Sequence, residues 1–219
     1  MTATDNDRCQ IALQGRDPLA IEQISAYVLE AMAKAAQTRL GNDQMNKAVV
    51  TVPAYFNEAQ KAATKNAAEI AGLEVLRIIN EPTAAAMAAG IHEQQGEAMV
   101  VVFDFGGGTY DLSILEISNG SINVEATRGD MNLGGRDLDQ VLVDYCLEKF
   151  QEQHAIDLRE DVRAKARLMQ ECERAKINLS LNFSTTIRMQ SFHADQDLEV
   201  TIERSDFERL ATPILERLE

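Results

Sequence analysis

Three consecutive glycines flanked by two aspartates, in Phe103-Asp104-Phe105-Gly106-Gly107-Gly108-Thr109-Tyr110-Asp111, are the residues of this sequence best suited to chemistry. Glycine carries no Cβ, so backbone N–H groups at Gly106, Gly107 and Gly108 can close around an anion, and the Thr109 hydroxyl adds to the same cradle. Asp104 at the end of one apolar strand and Asp111 at the start of the next are placed to hold a hydrated Mg²⁺, which takes one or two carboxylates and keeps its waters. A plain hairpin needs only one or two glycines, so this pattern points to phosphate. No Lys-Ser/Thr pair follows the glycines, and a strand rather than a helix comes next. Walker loops and dinucleotide fingerprints are thereby excluded. Gly107 is expected to resist replacement, through close phosphate approach and a left-handed backbone.

Other polar residues are weaker candidates. Gly129-Asp130-Met131-Asn132-Leu133-Gly134-Gly135 is a second glycine-bearing turn before a helix. Glu81 follows a strand and opens a helix, where the N-terminal dipole alone favours a carboxylate. Glu173, Lys176 and Ser180 are separated by three and four residues, which puts them on one helical stripe. Cys9, Cys146 and Cys172 form no C-x-x-C pair, and His92, His154 and His193 are scattered, so reduced thiols and surface histidines are expected.

The elements that must position these residues are legible from periodicity. Apolar residues from Ala20 to Leu40 recur at three and four and stop at Gly41, predicting an amphipathic helix. Strands are predicted at Ala48–Val52, Val75–Ile79 and Met99–Phe103, with a helix capped by Asn57 and another opened by Pro82 between them. Such alternation predicts βαβ crossovers and an α/β sheet. Beyond residue 104 the pattern changes to a ribbon, Leu112–Ile117 and Ile122–Thr127, joined at Asn119-Gly120. Helices at Asp137–His154 and Leu158–Leu181 follow, then strands near Thr185–Gln190 and Leu198–Ile202. A last helix is predicted to open with a Ser205-x-x-Glu208 capping box. His92–Glu97 is the only linker-like stretch.

The 219 residues suffice for one or two domains, and 45% hydrophobic with 26% charged residues is ordinary globular composition. A formal charge of −14 argues against nucleic acid or anionic membrane as a partner. No apolar run reaches the roughly 18 residues of a membrane helix, and the first ten residues lack a signal-peptide core, so a cytoplasmic chain is expected.

The glycine loop resembles the second phosphate loop of the actin, sugar-kinase and heat-shock chaperone ATPases. Val50-Thr51-Val52-Pro53-Ala54-Tyr55-Phe56-Asn57 and Arg77-Ile78-Ile79-Asn80-Glu81-Pro82-Thr83-Ala84-Ala85-Ala86 are similar to signature stretches of the seventy-kilodalton heat-shock (DnaK-type) chaperones, and disfavour a sugar kinase or actin relative. The resemblance runs from about Ile24 to the end; residues 1 to 19 match nothing recognisable. It implies an actin-like (ribonuclease H-like) α/β ATPase fold in part. Residues 1–92 would be the C-terminal part of lobe I and 93–219 lobe II, comprising a nucleotide-binding part (93–133), an upper helical and strand subdomain (134–204) and a return helix (205–219).

The resemblance also implies ATP or ADP with Mg²⁺ as cofactors. Glu81 would position the attacking water, Asp104 and Asp111 the metal shell, and Gly106, Gly107, Gly108 and Thr109 the phosphate oxygens. Gly134 and Gly135 would lie against sugar and phosphates, and Glu173, Lys176 and Ser180 against the nucleoside. Ile177 and Lys61 stand where arginine is usual. The first phosphate loop, the catalytic lysine and the peptide-binding domain of such chaperones have no counterpart, so the chain is expected to be a middle segment. The whole protein's implied activity is ATP-driven binding and release of unfolded polypeptides, with J-domain co-chaperones and nucleotide-exchange factors as partners. A non-catalytic module docking an exchange partner through Gly134–Arg204 is the alternative.

Overall fold

The computed structural model describes residues 2–3, 9–12, 15, 17–93 and 96–218. The chain divides into two units, Met1–Val102 with Ser113–Thr127, and Phe103–Leu112 with Arg128–Glu219.

The first unit begins with three short antiparallel strands, β1 (Thr2–Ala3), β2 (Cys9–Ile11) and β3 (Leu19–Ala20). The Cys9 side chain and residues 94–95 of the linker-like stretch lie outside the described set. Helix α1 (Ile21–Leu40) stops at Gly41, whose φ of 63° is left-handed and whose N–H reaches back to Gln37 O and Thr38 O. Strand β4 (Lys47–Val52) alternates exposed and covered residues, with Val52 1% exposed. It pairs in parallel with β5 (Glu74–Asn80). Parallel neighbours need a crossover, and α2 (Glu58–Ile70) supplies it. A reciprocal capping box starts α2: Gln60 N donates to Asn57 Oδ1 and Asn57 N to Gln60 Oε1, both at 2.9 Å. Helix α3 (Glu81–Ala88) has Glu81 at its first position and buried Pro82 at its second.

The predicted third strand joins a different sheet from that crossover. Strand β6 (Glu97–Phe105) heads a sheet of order β6-β7-β8 with β7 (Tyr110–Ser118) and β8 (Ser121–Asp130). Asn119 and Gly120, at φ 51° and 78°, make the left-handed two-residue turn that their sequence demands.

In the second unit α4 (Gly135–His154) and α5 (Val162–Leu181) pack with the antiparallel pair β9 (Ser184–His193) and β10 (Gln196–Glu203). Leu142, Cys146, Phe150, Leu168, Cys172 and Leu198 lie in one core cluster, and Phe150 meets Phe192 edge-on at 5.2 Å. Cys146 and Cys172 are buried thiols. Their mutual hydrogen bond, then burial, push the Cys172 thiol far up, which makes it inert.

Two expected helix starts move. Helix α5 begins at Val162 rather than Leu158, because Asp161 Oδ1 accepts from Arg163 N at 2.9 Å and Ala164 N at 3.0 Å. The last helix, α6 (Arg204–Leu215), has no side-chain cap, so the Ser205-x-x-Glu208 box does not form. Arg204 sets that start instead: its N–H donates to Phe183 O at 2.8 Å and its guanidinium to Leu179 O at 2.7 Å and Asn182 O at 3.0 Å. Ser205 is thereby inside the helix. No helix of the described residues is long and apolar enough to cross a membrane.

Candidate phosphate and nucleotide site

The glycine run forms the turn between β6 and β7. Gly106 N donates to Thr109 O at 2.9 Å, closing the connection between β6 and β7 around Gly107 and Gly108. The second glycine turn is stitched onto it from the start of α4, with Gly135 N donating to Gly106 O at 2.9 Å and Arg136 N to Gly107 O at 2.8 Å. Asp137 completes the helix start by accepting from Gly134 N at 2.8 Å. Gly107, Gly108 and Thr109 are exposed.

Close approach rather than backbone strain constrains two of the glycines. A Cβ on Gly134 would stand 2.6 Å from the Gly107 carbonyl carbon and 2.7 Å from Gly108 Cα, and would overlap Gly108 N. A Cβ on Gly129 would overlap Tyr110 O and Asp111 Oδ1. Gly107 itself has no positive φ, and a Cβ there meets no atom within 4 Å. The expected left-handed conformation at Gly107 is therefore corrected, and the packing constraint moves to Gly129 and Gly134, which the sequence did not distinguish from ordinary turn glycines.

The carboxylates Asp104 and Asp111 flank the loop. Burial, then the charge of Asp104, raise the Asp111 pKa from its ordinary 3.8. For an acid with a raised folded-state value, the stability contribution is complete below the unfolded value and is lost as pH rises through the folded one. Ionised Asp111 therefore opposes folding at neutral pH, and a divalent cation held there would relieve it. Millimolar Mg²⁺ should raise the melting temperature of the 219-residue chain near pH 7 but not near pH 3, and Asp111→Asn should abolish the response. A shift of equal size at both pH values, or one that persists in Asp111→Asn, would remove this pair from the cation site. Two carboxylates suit Mg²⁺ with its waters. No cluster of three or more metal-ligating side chains exists among the described residues.

Beside the glycine turns lies an open cavity of about 540 Å³, lined among others by Phe105, Gly106, Gly135, Lys176, Ser180 and Arg204. Lys176 Nζ donates to Gly135 O at 2.9 Å and lies 2.7 Å from Asp139 Oδ1. Ser180 Oγ donates to its own helix at Lys176 O, 3.4 Å away. Glu173 is exposed on α5 and does not line this cavity. Glu81 belongs to the first unit, half-buried at the start of α3. A separate cavity of about 570 Å³ in the first unit, lined by residues such as Val28, Leu29, Val50 and Phe56, is mainly apolar and holds none of the expected site residues.

Asp139, Arg204 and the turn after α6 were missed in the sequence. Arg217 Nη2 donates to Asp130 Oδ2 at 2.6 Å and Asn132 O at 3.0 Å, and Tyr110 OH to Leu218 O at 3.3 Å. The Arg217 hydrogen bond, more than any other contact, holds the Asp130 carboxyl below its usual range. These contacts cross 85 to 108 residues of sequence, and no local spacing announces them.

The family model described as Hsp70 protein matches residues 1–219, including the first 19 residues that carried no recognisable motif. The chain is similar to the chaperone protein DnaK of Thermus thermophilus, 48% identical over 203 residues that cover 90% of this chain and 33% of the relative. The same-named protein of Thermotoga neapolitana is 50% identical over 200 residues, 89% of this chain and 33% of the relative. That of Thermosipho africanus is 48% identical over 199 residues, with the same coverage. The chain spans about a third of the length of these relatives.

Proposed function

We propose, from the premise that this chain belongs to the Hsp70 family, that it forms part of an ATP-binding and ATP-hydrolysing domain and holds the phosphates at Gly106–Thr109. The observation that carries this reading is the double stitch from Gly135 N and Arg136 N to Gly106 O and Gly107 O, which presents the exposed Gly107-Gly108 backbone beside two carboxylates. Gly107 and Gly108 amides and the Thr109 hydroxyl bind phosphate oxygens. Asp104 and Asp111 hold the water shell of Mg²⁺, which neutralises phosphate charge when bound. Gly134 and Gly135 shape the wall between phosphate and sugar, and Lys176, Ser180 and Glu173 serve the nucleoside end. Glu81 orients the attacking water, a role taken from the resemblance alone.

The mixed α/β content agrees with an actin-like ATPase fold. On that fold residues 1–92 correspond to the end of lobe I and 93–219 to most of lobe II. The whole protein would couple ATP turnover to binding and release of unfolded polypeptides in the cytoplasm, served by J-domain co-chaperones and nucleotide-exchange factors. Amide NMR of the 219-residue chain titrated with Mg-ADP tests the site. Shifts should concentrate in residues 104–111, 134–136 and 176–180. Saturable shifts elsewhere with these silent would overturn the assignment, as would no shifts at millimolar nucleotide.

A further inference from the structure

Asp139 is the one buried carboxylate among the described residues, 6% exposed, and no chemistry in the proposed site uses it. It sits one turn into α4, beside Leu142 and Val143 of the core. Its Oδ1 lies 2.7 Å from Lys176 Nζ but has no aligned hydrogen bond, so charge rather than hydrogen-bond geometry holds the contact. The same ammonium donates to Gly135 O, and a Cβ on Gly135 would stand 3.3 Å from it. Lys176 is therefore gripped at the junction of α4, α5 and the second glycine turn, with 22% of its side chain exposed.

We infer that Asp139 is a positioning residue that fixes Lys176 as a hydrogen-bond donor for the sugar hydroxyls of a nucleoside, and so sets the cavity's preference for a neutral diol over a phosphate. The inference rests on the reading of this cavity as the nucleoside end of a nucleotide site. Two physical arguments carry it. A free lysine has four flexible torsions to freeze on binding, and a lysine already held by a buried partner has lost that freedom in advance. An ammonium also has three donors. One goes to Gly135 O and its charge is balanced by Asp139, which leaves donor capacity for a ligand without leaving an uncompensated cation to attract phosphate. Phosphate is thereby directed to the glycine loop and the uncharged hydroxyls to the cavity.

The test uses the whole 219-residue chain with two probes, adenosine and inorganic pyrophosphate, in ligand-observed NMR suited to weak binding. Asp139→Asn should weaken adenosine about tenfold, the loss of one hydrogen bond to a charged group, and strengthen pyrophosphate, because the ammonium is left without its compensating charge. Lys176→Met should weaken adenosine likewise but not strengthen pyrophosphate, and the double variant should lose no more adenosine affinity than either single one. Unchanged adenosine affinity in Asp139→Asn would overturn the inference while leaving the nucleotide site standing. Parallel loss of both probes would mark Asp139 as a purely structural strut and also overturn it. If the wild-type chain binds pyrophosphate but not adenosine, the nucleoside reading of the cavity fails and takes the inference with it. Should Asp139→Asn not fold, acylation of the wild-type chain decides: Lys176 should react about tenfold more slowly than exposed Lys34, and equal rates would show that it is not held.

Discussion

Gly134→Ala is expected to reduce nucleotide affinity by about two orders of magnitude or more, whereas Gly107→Ala leaves the ligand-free chain undisturbed. Gly134 has φ and ψ of −173° and −172°, extended values that alanine adopts freely, so backbone conformation is not the obstacle. The obstacle is the added methyl, which would overlap Gly108 N and stand 2.6 Å from the Gly107 carbonyl carbon. Every atom it meets is backbone, and no flexible side chain can move aside. The turns must separate, which breaks the bonds from Gly135 N to Gly106 O and from Arg136 N to Gly107 O. With the cradle opened, two amide bonds to a charged phosphate are lost, each worth about 1.5–3 kcal/mol, and roughly 1.4 kcal/mol corresponds to tenfold in affinity. Amide NMR titration with Mg-ADP, alongside circular dichroism to establish helix content, measures the effect. Wild-type affinity in a folded Gly134→Ala chain would show that the stitch does not shape the cradle. Gly107→Ala is the complementary probe: its methyl meets no protein atom, so any affinity it loses reports the ligand itself.

That pair also shows where sequence was sufficient. Local rules located what is local: Asn57 with Gln60 forms the predicted capping box, Asn119-Gly120 the predicted turn, and Gly41 the predicted helix end. Each depends on side chains or φ values within a few residues. The glycine run was legible as a loop for the same reason. What failed was long-range. The spacing points to Gly107 for a constraint that belongs to Gly134, because the Gly134–Gly108 contact joins residues 26 positions apart and a glycine's type does not say whether its missing Cβ is needed for φ or for space. The spacing of Ser205 to Glu208 suits a cap, yet Arg204 anchors that helix to the end of α5. Asp139 reads as one more acid near a helix start, and its burial against Lys176 emerges only when α4 and α5 pack. Sheet membership was hidden similarly: β6 has the apolar pattern of a third parallel strand but pairs with β7 in the ribbon instead.

The 219-residue chain is expected to hydrolyse ATP well below kinase-like rates, even where it binds nucleotide. Phosphoryl transfer needs little covalent help and depends on positioned groups that stabilise charge around the transferred phosphate. Of the 12 glycines, only Gly106–Gly108 and the Gly134-Gly135 pair form turns suited to phosphate, and all five lie in the second unit. No lysine or arginine occurs between Phe103 and Asp111. Three nearby cations are already committed: Lys176 to Asp139 and Gly135 O, Arg204 to the carbonyls of Leu179 and Asn182, and Arg217 to Asp130 and Asn132 O. Releasing any of them would break contacts that hold the site's own walls. A missing electrostatic donor typically costs about 2.7–4 kcal/mol of transition-state stabilisation, or 10²–10³ in rate, and this loop carries no lysine or arginine of its own to supply it. Phosphate release from Mg-ATP, followed with the purified chain under single-turnover and steady-state conditions, should stay well below kinase-like rates. Turnover of about 1 s⁻¹ or faster that survives in Asp104→Asn would place the chemistry outside this loop. The same rate abolished by that substitution would show that the loop needs no additional cation.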